Sequence, residues 1–461
     1  MINWKDRQVV IVGIGRQGIA LARYLVALGA RVTLNDHREP GEMANVRQSL
    51  SDLPVEWVLG NHPLSLLSGA DVLAVSGGVP LSLPLVQEAQ KRGILLTNDS
   101  QVFMDAAPCR VIGITGSAGK TTTTTLVGRM AQAAFGEEHV WVGGNIGNPL
   151  IADIDKMKAT DLAVIEFSSF QLELMTTAPQ IAAVLNITPN HLDRHGTMEA
   201  YTAAKARIVE YQTAADVTVL GREDAGAWNL ADSAPGRAVS FGIQRPSANQ
   251  PGTHLRDDAL TFWDGENDHR LLPIHKILLR GEHNILNVLA ACAIAHEAGI
   301  FPQAMEAGVE NFTGVEHRLE FVRSWKGVSW YNDSIATAPE RAIAAINSFE
   351  EPLVLLAGGR DKDLPWEAFA KLIHRKVRQV VLFGEAADMI QLALAAAAES
   401  GNGPKSSVVR CQGLEDAVIT TAGLVRPGDV VLLSPGGTSF DEFRDFAERG
   451  EWFRKWVLEL T

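Results

Sequence analysis

Six consecutive residues, Gly116-Ser117-Ala118-Gly119-Lys120-Thr121, have the types and spacing needed to hold a polyphosphate. The apolar run Val111 to Thr115 before them reads as a buried strand, and Lys120 to Met130 after them has helical periodicity. In such a strand, loop and helix, successive amides and the helix N-terminus converge on an anion. Lys120 is then expected at the terminal phosphates and the Thr121 hydroxyl at a magnesium ion. The strict spacing, with a glycine five residues before Gly119, is not kept, because Ile114 stands there; a plain glycine-rich turn is the alternative. The side chains of Thr122 to Thr125 read as helix-surface or packing groups.

A second cradle precedes it. Gly13, Gly15 and Gly18 have GxGxxG spacing after the apolar run beginning at Val9, and Asp36 ends a second strand where an acid could grip a ribose. Any ligand with a diphosphate and a ribose suits this geometry, so a nicotinamide cofactor and another nucleotide remain equal alternatives. Glu166 closes the run "DLAVIE", where a strand would deliver a carboxylate to the carboxyl edge of the sheet beside the phosphate loop. A salt-bridged edge carboxylate is its ordinary reading.

The elements that must position these groups alternate between strand and helix almost throughout, which predicts parallel sheets covered on both faces. At 461 residues the chain is too long for one ordinary core. Five short apolar runs form a Rossmann-like first domain at residues 1–107; a central ATP-binding domain is expected over 108–314 and a third α/β domain over 315–461. With 46% hydrophobic and 21% charged residues the chain is globular, and its net charge of −13 argues against nucleic-acid or anionic-membrane binding. Cys109, Cys292 and Cys411 are far apart, outside any metal-ligand spacing. The opening "MINWKDRQVV" has no apolar signal region, and no uncharged run is long enough to span a bilayer, so a cytoplasmic protein without membrane insertion is expected.

The segments "TGSAGKTT", "GGNIGNPL", "IEFSSFQLE", "NITPNHLDRHG", "YTAAKARI", "GEHNILNVLAA", "FTGVEHRLE", "WYNDSIAT", "LAGGRDKD" and "LLSPGGTSFDEF" follow one another in the order and spacing of the Mur ligase family. Over nearly its whole length the chain resembles the MurD type, which adds glutamate to UDP-N-acetylmuramoyl-L-alanine. The resemblance implies three domains: a Rossmann-like UDP-binding domain, a central P-loop-type ATPase domain and a C-terminal Rossmann-like α/β domain. It also implies an ATP-dependent, acyl-phosphate-forming ligase of peptidoglycan precursor synthesis, with UDP-N-acetylmuramoyl-L-alanine and glutamate as partners, acting as a monomer. The GxGxxG turn would then face uridine diphosphate, with Gly15, Arg16, Gln17, Ser76, Gly78 and Asn145 at the substrate and Asp36, His37 and Arg38 toward the uracil. Arg38 has an equal reading as a solvated loop charge.

By the same resemblance Gly116, Ser117, Ala118, Gly119, Lys120, Thr121 and Thr122 hold ATP, with Asn284 and Asn287 at the adenine and Arg318 and Asp333 at phosphate and ribose. Thr121, Glu166, His191 and Lys205 would serve two Mg²⁺ sites, and Lys120, Glu166, His191 and Lys205 would be the catalytic set. Lys205 matches a lysine that is carbamylated, which turns a cation repelled by magnesium into an anion that binds it. Thr337, Lys362, Ser439 and Phe446 match the glutamate side of the site, where cation and hydroxyl recognise carboxylates.

Two departures touch that pocket. Ile335 stands where the usual "NDSKAT" has a lysine, and "SPGG" replaces the usual Ser-Pro-Ala-Cys. Related ligases that use L-glutamate share both features, whereas "FDEF" and "GGRDK" match the ordinary type; D-glutamate is the expectation and L-glutamate the alternative. Another Mur-type or a folylpolyglutamate-type ligase, a dehydrogenase and a nucleotide-binding regulatory protein are the other readings.

Overall fold

Three β-sheets follow one another along the chain in the computed structural model, which describes residues 2–362, 364–400 and 405–461. The first has strands β1 (Gln8–Val12), β2 (Arg31–Asp36), β3 (Glu56–Leu59), β4 (Val72–Val75) and β5 (Leu95–Thr97) in the order β3-β2-β1-β4-β5, all parallel. The chain reverses direction of winding at β1, so the loop after β1 opens into a crevice at the carboxyl edge. The helix Arg16–Ala27 starts at that loop and buries Gly18, Ala20, Leu21, Ala22 and Leu25. Gly18 is required by close approach, since a Cβ there would meet the Gly13 carbonyl oxygen at 2.3 Å.

The second sheet has β6 (Arg110–Thr115), β7 (Val140–Gly144), β8 (Leu162–Glu166), β9 (Ile181–Val184), β10 (Val217–Gly221), β11 (Arg237–Phe241), β12 (Gly252–Arg256), β13 (Ala259–Trp263) and β14 (Asp268–Pro273). Their order is β14-β13-β12-β11-β10-β9-β6-β8-β7. From β7 across to β12 the pairing is parallel, as the alternation of strands and helices leads one to expect. The last three strands depart from that expectation and form an antiparallel meander. Only Asp257 and Asp258 join β12 to β13, and two residues can close a hairpin but not a crossover. The helix after the phosphate loop runs over Lys120–Phe135, past the Met130 expected from periodicity, because Ala131, Gln132, Ala133 and Ala134 are good helix formers and the chain first meets a stop at Gly136, which has φ 93°.

These two sheets and residues 282–312 form one unit, Met1–Leu278 with Glu282–Phe312. One buried cluster runs through it, from Val9, Ile11 and Leu34 to Ala163, Ile165 and Phe167. The larger of these side chains, Val9, Ile11, Leu34, Ile165 and Phe167, each contribute about 1.5–3 kcal/mol by leaving water. The two sheets of this unit are therefore joined by core, not by a bare linker.

The second unit, Leu279–Gly281 with Thr313–Thr461, holds the third sheet. Strands β15 (Glu320–Trp325), β16 (Val328–Asn332), β17 (Leu353–Gly358), β18 (Val377–Phe383), β19 (Ser407–Arg410) and β20 (Val430–Gly436) run in the order β15-β16-β20-β17-β18-β19. Only β15 is antiparallel to its neighbour. Along β17, Leu353, Leu355 and Ala357 pack on one face and Val354 and Leu356 on the other, so both faces are buried. The helix Phe446–Glu459 is capped by the Asp445 carboxylate, which accepts from the Glu448 amide, and it buries Arg449, Gly450, Phe453 and Val457.

Candidate active site

A cavity of about 490 Å³ opens above β1, lined by Gly13, Ile14, Gly15, Arg16, Gln17, Asp36, His37, Arg38, Ser76, Gly78 and Asn145, with His62 and Gly147. Here the expected residues of the first cradle meet. Asp36 is the last residue of β2 and is buried, accepting from the Ile14 amide at 2.8 Å and from Arg38 Nη2 at 2.7 Å and Nε at 2.9 Å. Burial alone would raise its carboxyl, but the Arg38 guanidinium and the Ile14 and Arg38 amides hold it well below the usual carboxylate range. Arg38 also donates to the Ile14 carbonyl at 3.1 Å, so it both pairs with Asp36 and walls the cavity. Ser76 donates to the Gly13 carbonyl at 2.7 Å, and Arg16 reaches the Gly147 carbonyl at 3.1 Å.

Asn145, after β7, lines this cavity and points its amide at the second cradle, donating from Nδ2 to Glu166 Oε1 at 2.8 Å. The other carboxylate oxygen of Glu166 accepts from the Thr121 hydroxyl at 2.9 Å. Register explains the meeting: β6 pairs with β8 so that Ile114 faces Glu166, and Gly144 of β7 faces Glu166 from the other side. The loop 116–119 then turns over the end of β6, and Gly119 adopts φ 81°. A Cβ at Gly119 would meet Asn287 Oδ1 at 2.2 Å. Asn287 donates to Asn284 Oδ1 at 3.0 Å, so both asparagines of the helix Glu282–Glu297 stand at the loop.

Two lysines converge on one carbonyl. Lys120 Nζ donates to the Gly116 oxygen at 2.9 Å, and Lys205 Nζ donates to the same atom at 2.8 Å. Lys205 lies on the helix Met198–Glu210, 1% exposed, and the Tyr201 ring is 4.8 Å from its nitrogen. Burial pulls its pKa down, the nearby Lys120 adds to this and Glu166 opposes it, leaving it at about 6. The bare statistics of a lysine in "AAKARI" would put it in solvent; the structure buries it. The hydroxyls of Thr123 and Thr124 are buried without partners in the packed helix, as packing groups would be.

His191 follows β9 on an exposed turn with φ 53°, its ring edge-on to Phe170 at 5.2 Å. Among the described residues no three His, Cys, Asp or Glu side chains cluster as a metal site. Thr121 and Glu166 nonetheless form an all-oxygen pair at the phosphate loop, which suits Mg²⁺, an ion commonly bound by one or two carboxylates together with substrate phosphates.

In the second unit Asp333 follows β16 and is buried, accepting from Ser434 Oγ at 2.8 Å and the Leu319 amide at 3.2 Å. Burial pushes its carboxyl up to about 7, against the pull of those donors and of Arg318 and Arg341. Ser439 is buried, Phe446 is one-third exposed, Ile335 and Thr337 are half-buried, and Lys362 is exposed.

Sequence reasoning missed four contributors. Arg194 donates to the carbonyls of Gly78 and Val79 at 3.1 Å, Tyr201 OH meets Ser117 Oγ at 2.9 Å, and Asn186 Oδ1 accepts from the Ala118 amide at 2.8 Å. All three lie inside motifs already quoted, so position next to a named residue was the available signal. Arg449 had none: a charged residue in "FAERGEWF" reads as helix surface.

A Mur ligase middle-domain family model matches residues 114–295, a Mur ligase glutamate ligase domain model 317–437 and a MurD-like N-terminal domain model 7–98. A UDP-N-acetylmuramoylalanine–D-glutamate ligase of Symbiobacterium thermophilum is 40% identical over 99% of this chain and 99% of its own. One of Acetivibrio thermocellus is 38% identical over 99% and 97%. The chain belongs to the Mur ligase family, in its MurD type. Mur ligase structures share the fold at low identity. The UDP-N-acetylmuramate–alanine ligase of Thermotoga maritima aligns with TM-score 0.57 at 20% identity, covering 97% of this chain and 98% of that one. A pseudomurein peptide ligase type C of Methanothermus fervidus gives 0.55 at 17%, covering 99% and 100%. Among the described residues of this Mur ligase no helix is long and apolar enough to cross a membrane.

Proposed function

We propose that this Mur ligase joins D-glutamate to the alanyl carboxylate of UDP-N-acetylmuramoyl-L-alanine, releasing ADP and phosphate, in the synthesis of peptidoglycan precursors. The observation that carries the reading is Asn145: one side chain lines the cavity of the GxGxxG turn and also holds Glu166 at the phosphate loop. A ligand seated by its diphosphate in the first cradle therefore extends toward the second. A dehydrogenase would leave the second cradle without a task.

A carboxylate resists attack by an amine, so the substrate carboxylate first attacks the γ-phosphorus of ATP and ADP leaves. The amine of glutamate then displaces phosphate from the acyl carbon and gives up a proton. Gly116 to Thr122 hold the triphosphate through amides, with Lys120 swinging from the Gly116 carbonyl to the terminal phosphates. Thr121 and Glu166 would hold Mg²⁺, with His191 and Lys205 at a second ion. When bound, such ions would supply positive charge against the phosphates. A neutral Lys205 amine can attack CO₂ and release a proton, which gives the carbamate; its burial supports this by disfavouring the ammonium. Asp36 and Arg38 face the uracil end, with His37 beside them. Asn284 and Asn287 meet the adenine, Arg318 and Asp333 the phosphate and ribose, and Thr337, Lys362, Ser439 and Phe446 the amino acid. The reading extends to domain boundaries at 107/108 and 314/315, to a cytoplasmic enzyme and to a monomer, the last because one chain carries every assigned group.

Phosphate release with ATP, UDP-N-acetylmuramoyl-L-alanine and either enantiomer of glutamate at equal concentration tests it. Release with D-glutamate is expected. Preference for L-glutamate would move the specificity and leave the ligase standing, whereas no release with any amino acid would end the ligase reading.

A further inference from the structure

Arg449 is a fully buried guanidinium on the first turn of the helix Phe446–Glu459. Its Nε donates to Ser334 Oγ at 3.0 Å, Nη1 to the carbonyls of Gly437 at 3.2 Å and Thr438 at 2.9 Å, and Nη2 to the carbonyls of Ser334 at 2.8 Å and Gly437 at 3.2 Å. Every acceptor is neutral. Arg449 makes no ion pair with any described carboxylate; Asp441 and Glu442 act on it only at longer range. Burial pulls its pKa down to about 10, which leaves it charged at neutral pH.

The partners form a pattern. Ser334 begins the turn after β16 that carries Ile335 and Thr337, while Gly437 and Thr438 begin the turn after β20 that carries Ser439. Ser334 Oγ, while accepting from Arg449, donates to the Phe446 carbonyl at 2.7 Å. One side chain thus ties together the three segments bearing Thr337, Ser439 and Phe446. A nearby exposed cation, Arg360, is held by Glu385 at 2.8 Å and 3.0 Å, so its charge is already matched. Arg449 has only the longer-range Asp441 and Glu442 against its charge, and in a low-dielectric surrounding it favours a further anion at the turns it braces.

We propose that Arg449, with Ser334, is the positioning residue of the amino-acid pocket: it fixes the turns after β16 and β20 against the helix Phe446–Glu459 and biases that pocket toward an amino acid with two carboxylates. The proposal rests on the assignment of Thr337, Ser439 and Phe446 to glutamate. A lysine in its place would keep the charge but lose the planar fork that serves both turns at once.

The test is steady-state phosphate release by the full chain, with KM measured for each of the three substrates in wild type, Arg449→Lys and Ser334→Ala, alongside thermal unfolding. Arg449→Lys is expected to raise KM for glutamate about tenfold or more, with the KM values for ATP and the UDP-sugar changed by about twofold at most. Ser334→Ala should raise the glutamate KM about threefold to tenfold with its unfolding midpoint near wild type. Should Arg449→Lys fail to fold, Ser334→Ala decides alone. Equal rises in all three KM values, or an unchanged glutamate KM in the folded variants, would overturn the proposal while wild-type turnover with glutamate keeps the ligase reading. Wild type that turns over only with an amino acid lacking a second carboxylate would overturn both.

Discussion

The first unit contains two cradles built alike, a strand, a glycine turn and a helix, whose charges are arranged in opposite ways. After β1 the charges satisfy one another: Asp36 is held by Arg38 and by the Ile14 amide, and the cavity is walled by an ion pair complete without a ligand. After β6 two lysines donate to the same Gly116 carbonyl, while the Glu166 carboxylate accepts from the Thr121 hydroxyl and the Asn145 amide. Lys120 adds to the burial that disfavours the Lys205 ammonium, so Lys205 gains by meeting an anion or by losing its proton. The first arrangement suits a ligand that is held and released unchanged; the second suits one whose charge moves.

The sharpest way to break this comparison is Lys120→Ala. If the second cradle is where charge moves, phosphate release should fall by about 10²- to 10³-fold, as when one preorganised donor to a developing charge is removed. The dissociation constant for the UDP-sugar, measured by calorimetry without ATP, should stay near wild type if, as proposed, that ligand occupies the first cradle. Wild-type turnover would show that the two cradles do not differ in this way.

Lys205 sharpens the same contrast with a smaller effect. Labelled bicarbonate should give a carbamate carbon resonance in the wild type that Lys205→Arg lacks. The variant should lose at least about 10- to 100-fold in activity, the range seen when a group that merely supports a metal ligand is removed. A fully active, magnesium-saturated enzyme with no carbamate signal would mean that burial, not metal binding, explains this lysine.

The two cradles also differ in how far the sequence disclosed them. Both glycine patterns were visible because each rests on local rules: a turn that needs glycine and a helix that begins on it. Asp36, Glu166 and Thr121 were visible for the same reason, being the ends of short apolar runs or the start of a helix. The shared carbonyl of Lys120 and Lys205 was hidden, since 85 positions separate two lysines that only the β6–β9 packing and the helix Met198–Glu210 bring together. Arg449 was hidden more deeply, because its partners at 334 and 437 come from the ends of two different strands. The β12–β14 meander escaped because strand runs of similar composition do not announce direction; the two-residue connection did, and it outweighed the general alternation.

The smallest expected effect tests the first cradle from its glycines, which are not equivalent. A Cβ on Gly18 would strike the Gly13 carbonyl oxygen at 2.3 Å, and one on Gly119 would strike Asn287 Oδ1 at 2.2 Å, so alanine at either position must distort the protein itself. Gly15 is different. It has φ −88°, an ordinary value for any residue, and nothing lies within 4 Å of the position its Cβ would take. Gly15→Ala should therefore change folding stability by no more than about 1 kcal/mol in urea unfolding, the part it does lose coming from alanine being a poorer N-cap than glycine. Yet Gly15 lines the cavity and caps the helix whose N-terminus faces it, so a methyl group there occupies the space of a diphosphate drawn close to the backbone. The KM for the UDP-sugar should rise about threefold to tenfold with kcat kept, the signature of lost uniform binding. An alanine variant with unchanged stability and unchanged KM would place the diphosphate elsewhere, because a ligand resting on the Gly13–Gly18 turn has no room to ignore that methyl group.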